Sequence, residues 1–490
     1  MKQGFLSLIL IVQFSLLSTA SPNPAIKRLD GTTITPAEVD GTVTRLMTAA
    51  EVTGVDIAML NDGKVAYMKS YGFRDKEKNL PLTPDSVMTA ASLTKATFAY
   101  MVMQLVQEKV IDLDKPLYQY LPKPLPDYPK YQDLAADPRY KKITTRMVLS
   151  HTTGFPNWRY LTDDHKLSIN FEPGSRYAYS GEGIDLLQLI VETVTGKPLE
   201  DLMQARVFQP LEMSRTSMLW QKQFENDFAN GYDEYGRSLG PRRWTTSDAA
   251  GSMQTTLRDF TKLVLAVKNG QGLRKQTRDM MLSPQIEIFS KHQFPSLVNE
   301  TTDDNKAIRL SYGLGWGLYW APYGRAFFKE GHDEGFRNYA VCFDKSGNGF
   351  IILSNSSNGE GIFKELLENV FGNRYTPIEW EGFTPYDKLP PRTPLPVHKE
   401  VAIDPKTLDG YVGRYRFSAD VVLTIRRGQG THLIVQENQE PEQELIPEGE
   451  RKFFSKTADD EYTFNVDNNG RSTEMILHTD GKDIPIKRAD

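Results

Sequence analysis

The chain contains a single cysteine, Cys342, in 490 residues. No disulfide can close within it, and stability must come from buried core, which a chain of this length can supply. Cys342 sits in the apolar run VCF, where a cysteine serves as a small hydrophobe. Lys/Arg-rich runs are also missing, and 58 basic against 63 acidic residues leave a net charge of −5. Nothing in that balance suits nucleic acid or an anionic lipid surface. The seven histidines, at 151, 165, 292, 332, 398, 432 and 478, include no pair at metal-ligand spacing. Phosphate-cradling and dinucleotide-binding glycine loops are absent, as is a Gly-x-Ser-x-Gly elbow. AYSGE (178–182) comes nearest, with Ala178 at the first glycine position. No metal or other cofactor is expected.

The first twenty residues carry Lys2, an apolar run from Phe5 to Leu17 and the small-residue ending Ser18-Thr19-Ala20. This is the form of a cleavable secretory signal, too short to span a bilayer, with no nearby cysteine to take a lipid. An exported protein, periplasmic or extracellular, with no stable membrane span is expected.

Periodicity divides the remainder. A helix is expected over 36–53, opened by Pro36 and stopped before Gly54. Two apolar runs around Asn61-Asp62-Gly63 predict a hairpin over 55–73. A helix over 91–110 buries Leu93, Phe98, Val102, Leu105 and Val106. Residues 114–142, rich in Pro and Tyr, predict an irregular excursion. Further helices are expected at 143–155, at 184–194 with Gly196 as stop, at 255–267 behind Thr256, and at 362–371. RAFFKEGH, NYAVCFD and FIILSN read as strands. Strands before and after a helical middle imply an α+β domain whose antiparallel sheet is assembled from both ends of the segment. Seven prolines between Pro377 and Pro405 predict a semi-rigid linker over 375–405. Short strands with turn signals then predict a small all-β barrel or sandwich over 406–490.

The stretch TAASLTKATF (89–98) places Ser92 at the mouth of the 91–110 helix and Lys95 one turn further in. The plain reading is a helix cap with a solvated lysine. Against it, a lysine in the first turn opposes the helix dipole, and the neighbours Ala90, Ala91, Leu93, Ala96 and Phe98 are apolar. Spacing i, i+3 puts both side chains on one face. A dry lysine gives up its proton more readily and can then act as a base towards the serine.

The chain resembles the penicillin-recognising serine hydrolases, in their class C β-lactamase-like and serine esterase branch. ASLTK (91–95) has the form of their Ser-x-x-Lys motif. FEPGSRYAYSGEG (171–183) resembles their Tyr-x-Asn element, with Tyr179 kept and Gly181 where Asn is commonest. KEGHDEGF (329–336) is similar to the His-x-Gly variant of the third motif, with His332, then Asp333, Glu334 and Gly335. SHTTGF (150–155), PLEM (210–213) and AAGSMQTTLRD (249–259) are similar to further family segments in the same order. LDGYVGRY, opening 407–490, resembles the lipocalin-like tail domain of some members.

The resemblance implies a β-lactamase/transpeptidase-like antiparallel sheet flanked by helices in the hydrolase domain, 21–374. It implies acyl transfer, with Ser92 as nucleophile and Lys95 and Tyr179 sharing the proton, the sequence not choosing between them. The oxyanion would lie between the Ser92 N–H and one near Gly335. His332, Glu334, Gly335 and Gly181 would border the substrate, with Glu334 favouring a cationic group. Expected substrates are esters, D-amino-acid or peptide amides, and β-lactams, the altered second and third motifs ranking β-lactams last. The alternative is a binding protein for cell-wall peptides or β-lactams that has lost turnover on the same scaffold.

Overall fold

A computed structural model describes residues 25–490 apart from 393, 418–420, 439–441, 456–458 and 480–481. The expected signal segment, 1–20, lies outside the described residues.

The hairpin predicted at Asn61-Asp62-Gly63 joins β1 (Gly54–Asn61) to β2 (Lys64–Asp75). Its loop residues Asp62 and Gly63 have φ of +51° and +73°, the left-handed pair that a type I′ turn requires. Seven more strands complete one sheet: β3 (Leu80–Pro81), β4 (Ile286–Glu287), β5 (Ser311–Tyr312), β6 (Gly317–Ala321), β7 (Gly324–Asp333), β8 (Phe336–Phe343) and β9 (Gly349–Ser354). The order is β4-β5-β6-β7-β8-β9-β1-β2-β3, antiparallel throughout. The β9–β1 pairing, Phe350↔Met59 and Ile352↔Ile57, closes the sheet from the two ends of the segment, as the sequence order implies.

Both faces of the sheet are covered, which explains why its central strands read as unbroken apolar runs. Ile57, Met59, Tyr339, Val341, Phe350 and Ile352 face one core, beneath α1 (Pro36–Ala50) and the 363–371 helix. Ala58, Leu60, Ala340, Cys342, Ile351 and Leu353 face the other, with α2 (Leu93–Gln107) and α4 (Leu257–Asn269). Cys342 is fully buried, and burial pushes its thiol up to about 12. Helix α2 is buried on every side from Leu93 to Leu105, a central position that suits its all-round apolarity. Each fully buried Leu or Met there contributes about 1.5–3 kcal/mol.

Helix ends follow local chemistry. Thr35 and Glu38 form a reciprocal capping box on α1. Ser180 opens α3 (Gly181–Thr195) by accepting from the Gly183 N–H at 3.0 Å, and Gly196, φ +64°, ends it. Thr256 opens α4 by accepting from the Asp259 N–H at 3.1 Å.

Three segments depart from expectation. Residues 114–142 form short 3-10 turns. The 362–371 helix changes to π geometry from Leu366. The start of the Pro-rich 375–405 stretch is core, not linker: Ile378, Trp380 and Phe383 are buried, and the Trp380 indole N–H donates to the Ser290 carbonyl at 3.1 Å. Proline fixes φ without preventing the side chains between from packing.

The C-terminal segment is a closed eight-stranded barrel from Gly413–Arg416 to Lys482–Arg488, closed by the pairing Tyr415↔Arg488. Tyr415, Leu433, Phe453, Phe464 and Met475 fill its interior. Arg237 meets Asp459 at 3.1 Å, an ion pair between the barrel and the sheet domain. No helix among the described residues is long and apolar enough to cross a membrane.

Candidate active site

Ser92 is the residue before α2, but its hydroxyl makes no capping bond. The Lys95 ammonium donates to Ser92 Oγ at 3.1 Å and to the Ala250 carbonyl at 2.8 Å. Lys95 is 2 % exposed, and no carboxylate lies within ion-pair distance among the described residues. Its other neighbours are aromatic faces, with Nζ 5.1 Å from the Tyr179 ring centre and 5.4 Å from that of Trp158. The solvated-lysine reading is thereby excluded. Ala91, just ahead of the serine, holds φ at +49°, a left-handed conformation that costs a non-glycine residue about 1 kcal/mol or more. Thr94 Oγ1 braces it, donating to the Ala91 carbonyl at 2.5 Å and accepting from the Met253 N–H at 3.2 Å.

Tyr179, also 2 % exposed, arrives two residues before α3. The His151 ring lies against it at 4.4 Å between centres, and Phe294 meets its edge at 5.3 Å. His151 Nδ1 accepts from the Ser180 N–H at 3.2 Å, which puts the ring proton on Nε2. Burial, with the cations Lys329 and Lys95 nearby, holds His151 well below its ordinary range, so the imidazole is neutral.

Lys329 on β7 is fully buried and donates to the Tyr179 hydroxyl at 3.1 Å. It also meets Glu330 Oε1 at 2.5 Å, and Gln293 donates to that same oxygen at 2.9 Å. Burial alone would pull the ammonium down; Glu330 and Tyr179 outweigh it, so Lys329 is held above its ordinary value and stays charged. One tyrosine thus stands between two buried lysines.

The expected third motif is distributed differently. His332 is half exposed and faces Glu360, Nδ1 to Oε2 3.2 Å. Glu334 and Gly335 form the two-residue turn between β7 and β8. The Gly335 N–H donates to Ser357 Oγ at 3.0 Å, and a Cβ on Gly335 would come 2.8 Å from Gly231 Cα. The glycine that touches the Ser92 segment is Gly331, where a Cβ would lie 2.5 Å from the Ala90 carbonyl oxygen. Strand β6 ends opposite Phe328, so from Lys329 onward that edge of β7 has no strand partner. Lys329-Glu330-Gly331 is therefore the Lys-x-Gly that borders the serine. Sequence reasoning passed over Lys329, although a lysine inside the apolar run RAFFKEGH was its signal.

Gly181 has a neighbour that the sequence did not suggest. A Cβ there would sit 2.4 Å from Trp158 Cη2, so the indole fills the space of the missing side chain. The Trp158 loop is pinned by Arg159, which holds Glu182 at the start of α3 through contacts of 2.8 and 2.9 Å. Glu334 borders a cavity between the sheet domain and the barrel. Burial raises its carboxyl, with Arg242 pulling the other way and Asp333, Asp460 and Glu234 adding to the rise. Far from Ser92 in sequence, His398, Glu448 and Glu461 bring possible metal-ligand atoms within 4.8 Å of one another. Lys452 already supplies their positive charge, at 3.2 Å from Glu448 and 2.7 Å from Glu461.

Residues 39–371 match the Beta-lactamase family and 397–488 match a domain of unknown function, DUF3471. Penicillin-binding protein 4* of Bacillus subtilis is 23% identical over 86% of this chain and 92% of its own length. Esterase EstB of Burkholderia gladioli is 26% identical over 40% of this chain and 55% of its own. Teichoic acid D-alanine hydrolase of Staphylococcus aureus is 22% identical over 49% and 59%. The octameric penicillin-binding protein homologue from Pyrococcus abyssi shares the fold with a TM-score of 0.58 and 20% identity, over 92% of this chain and 99% of that one. The D-alanine carboxypeptidase AmpC of Burkholderia cenocepacia shares it at 0.53 and 19%, over 66% and 93%. The chain belongs to the Beta-lactamase family, among the penicillin-recognising serine hydrolases.

Proposed function

We propose that the protein hydrolyses carboxylic esters or D-amino-acid derivatives through an acyl-enzyme on Ser92. The observation that carries this reading is the 3.1 Å contact between Ser92 Oγ and the buried Lys95 ammonium, with Tyr179 packed beside it. Ser92 Oγ attacks the substrate carbonyl carbon and passes its proton to the Lys95–Tyr179 pair, which takes it up from the state holding one proton fewer than an ammonium beside a phenol. That pair returns it to the departing oxygen or nitrogen as the carbonyl–leaving group bond breaks. Water then attacks the acyl group by the same proton route and frees the serine. The Ser92 N–H has no backbone partner among the described residues. It and the open edge of β7 beyond Phe328 are the donors nearest the developing oxyanion. Lys329, fixed by Glu330, adds positive charge at the tyrosine hydroxyl when it carries negative charge.

Gly181 with Trp158 against it offers no amide to hold a β-lactam side chain, which ranks esters and D-amino-acid derivatives first. Relatives named as an esterase and a D-alanine hydrolase lie in the same direction. Residues 1–20 support export of the mature chain. Fluorophosphonate labelling and nitrophenyl acetate turnover, each lost in Ser92→Ala, are the expected results. A wild-type protein that takes no label and releases no nitrophenol would instead be a binding protein on this scaffold.

A further inference from the structure

A cavity of about 570 Å³ lies between the sheet domain and the barrel. Tyr160, Glu334 and Phe336 contribute to its wall from one side, Leu423, Glu437 and Tyr462 from the other. Two stacked rings link its wall to the surroundings of Lys95. Trp158, beside Lys95, stacks on Tyr160 with centres 6.1 Å apart and planes inclined by 10°. Neither the third-motif glycines nor the Ser92–Lys95 pair lines it.

Charge is distributed unevenly in this cavity. Among the described lining residues the one cation, Arg242, meets Asp333 at 2.9 Å, and Glu442 is paired with Arg426 at 2.7 Å. Glu334 and Glu437, one from each domain, have no ion-pair partner within 4 Å among the described residues. Glu334, Glu437, Glu442 and Asp460 against one guanidinium leave the described lining of the cavity net negative. Desolvation raises the Glu334 and Glu437 carboxyls, Arg242 works in the opposite direction, and Asp460 adds to the rise in each. A cation entering the cavity offsets that negative charge. An alkylammonium entering the cavity also finds the ring of Tyr160 and the apolar side chains.

We propose that this cavity binds the cationic end of an amphiphilic ester, an alkylammonium joined by an apolar spacer to the acyl group, with Glu334 and Glu437 as its counter-charges. The barrel is then part of the substrate site and not only a cover for the sheet domain. The assignment rests on the acyl-transfer reading for its substrate, and the test separates the two.

The test compares kcat/KM for nitrophenyl trimethylammoniohexanoate and its uncharged isostere, nitrophenyl dimethyloctanoate, in the full chain. Wild type is expected to prefer the cationic ester. Glu437→Gln and Glu334→Gln should each lower that ratio about tenfold, with added salt lowering it in wild type. A ratio unmoved by Glu437→Gln overturns the proposal. Calorimetric titration of hexyltrimethylammonium into Ser92→Ala protein reads the site without turnover, and weaker binding in Ser92→Ala/Glu437→Gln is expected. Cation binding lost with Glu437, in a protein that turns over no ester, would sink the acyl-transfer reading and keep the site. Ester turnover with no cation binding would sink the site alone.

Discussion

The indole of Trp158 occupies the space in which a side chain at Gly181 would begin, 2.4 Å from Cη2 to the Cβ position. The two positions are therefore one packing unit. Gly181→Asn alone forces the ring aside and is expected to cost about 1–3 kcal/mol in urea unfolding. In Trp158→Ala/Gly181→Asn the clash is gone, and the coupling between the two changes should recover most of that cost. Additive losses would show that the indole is not held against residue 181.

Glu330 neutralises a lysine that has no access to water. Glu330→Gln leaves the Lys329 ammonium buried without its carboxylate, at a cost of about 3–5 kcal/mol. Lys329→Met/Glu330→Gln removes both charges and should unfold at a higher urea concentration than Glu330→Gln alone. It should still lose about 10²–10³ in kcat on nitrophenyl esters, because the positive charge at Tyr179 is gone. Recovery of stability together with full activity would deny Lys329 a part in the reaction.

His151 makes stability depend on pH in a stated direction. Its folded value is depressed, by burial first and by Lys329 and Lys95 next, so the unfolded chain binds the extra proton. The stability it contributes is complete above the unfolded value, about 6.5, and declines as pH falls below it. His151 holds φ at +55°, which Asn tolerates well. His151→Asn is therefore expected to flatten the pH dependence of the urea midpoint below that value. An unchanged slope would place the titration elsewhere.

Gly331 brings β7 directly against the segment that carries Ser92. A methyl group there would lie 2.5 Å from a backbone oxygen, that of Ala90, which cannot swing aside as a side chain does. Gly331→Ala is expected to displace the Ser92 turn and lower kcat/KM by at least about tenfold. Gly335→Ala should act mainly on the β7–β8 turn and its packing on Gly231. Equal losses of activity in the two variants at matched stability would contradict this assignment.

Local patterns were legible wherever a residue type has one dominant structural use. Asp62-Gly63 dictated its turn, Thr256 its helix start and Gly196 its helix stop, because each answers to backbone chemistry a few residues away. The α+β order and the β tail followed from periodicity. Trp380 and Phe383 were hidden by their prolines, which mark stiff chain whether it is exposed or packed. The third motif was misjudged because KEGHDEGF contains two glycines at plausible spacing, and strand pairing, invisible in a string, decides which one meets the serine.

The sequence by itself determined that Ser92 and Lys95 meet, since they are one helical turn apart and three residues of helix bring them together without help from the rest of the chain. Only the tertiary structure decided what surrounds them. Lys329 reaches Tyr179 across 150 residues, Trp158 fills the void of Gly181, and Glu334 and Glu437 line one cavity from two domains. Those relations depend on how separate elements pack, and packing is specified by shape and burial summed over the whole core, not by any one stretch of the chain.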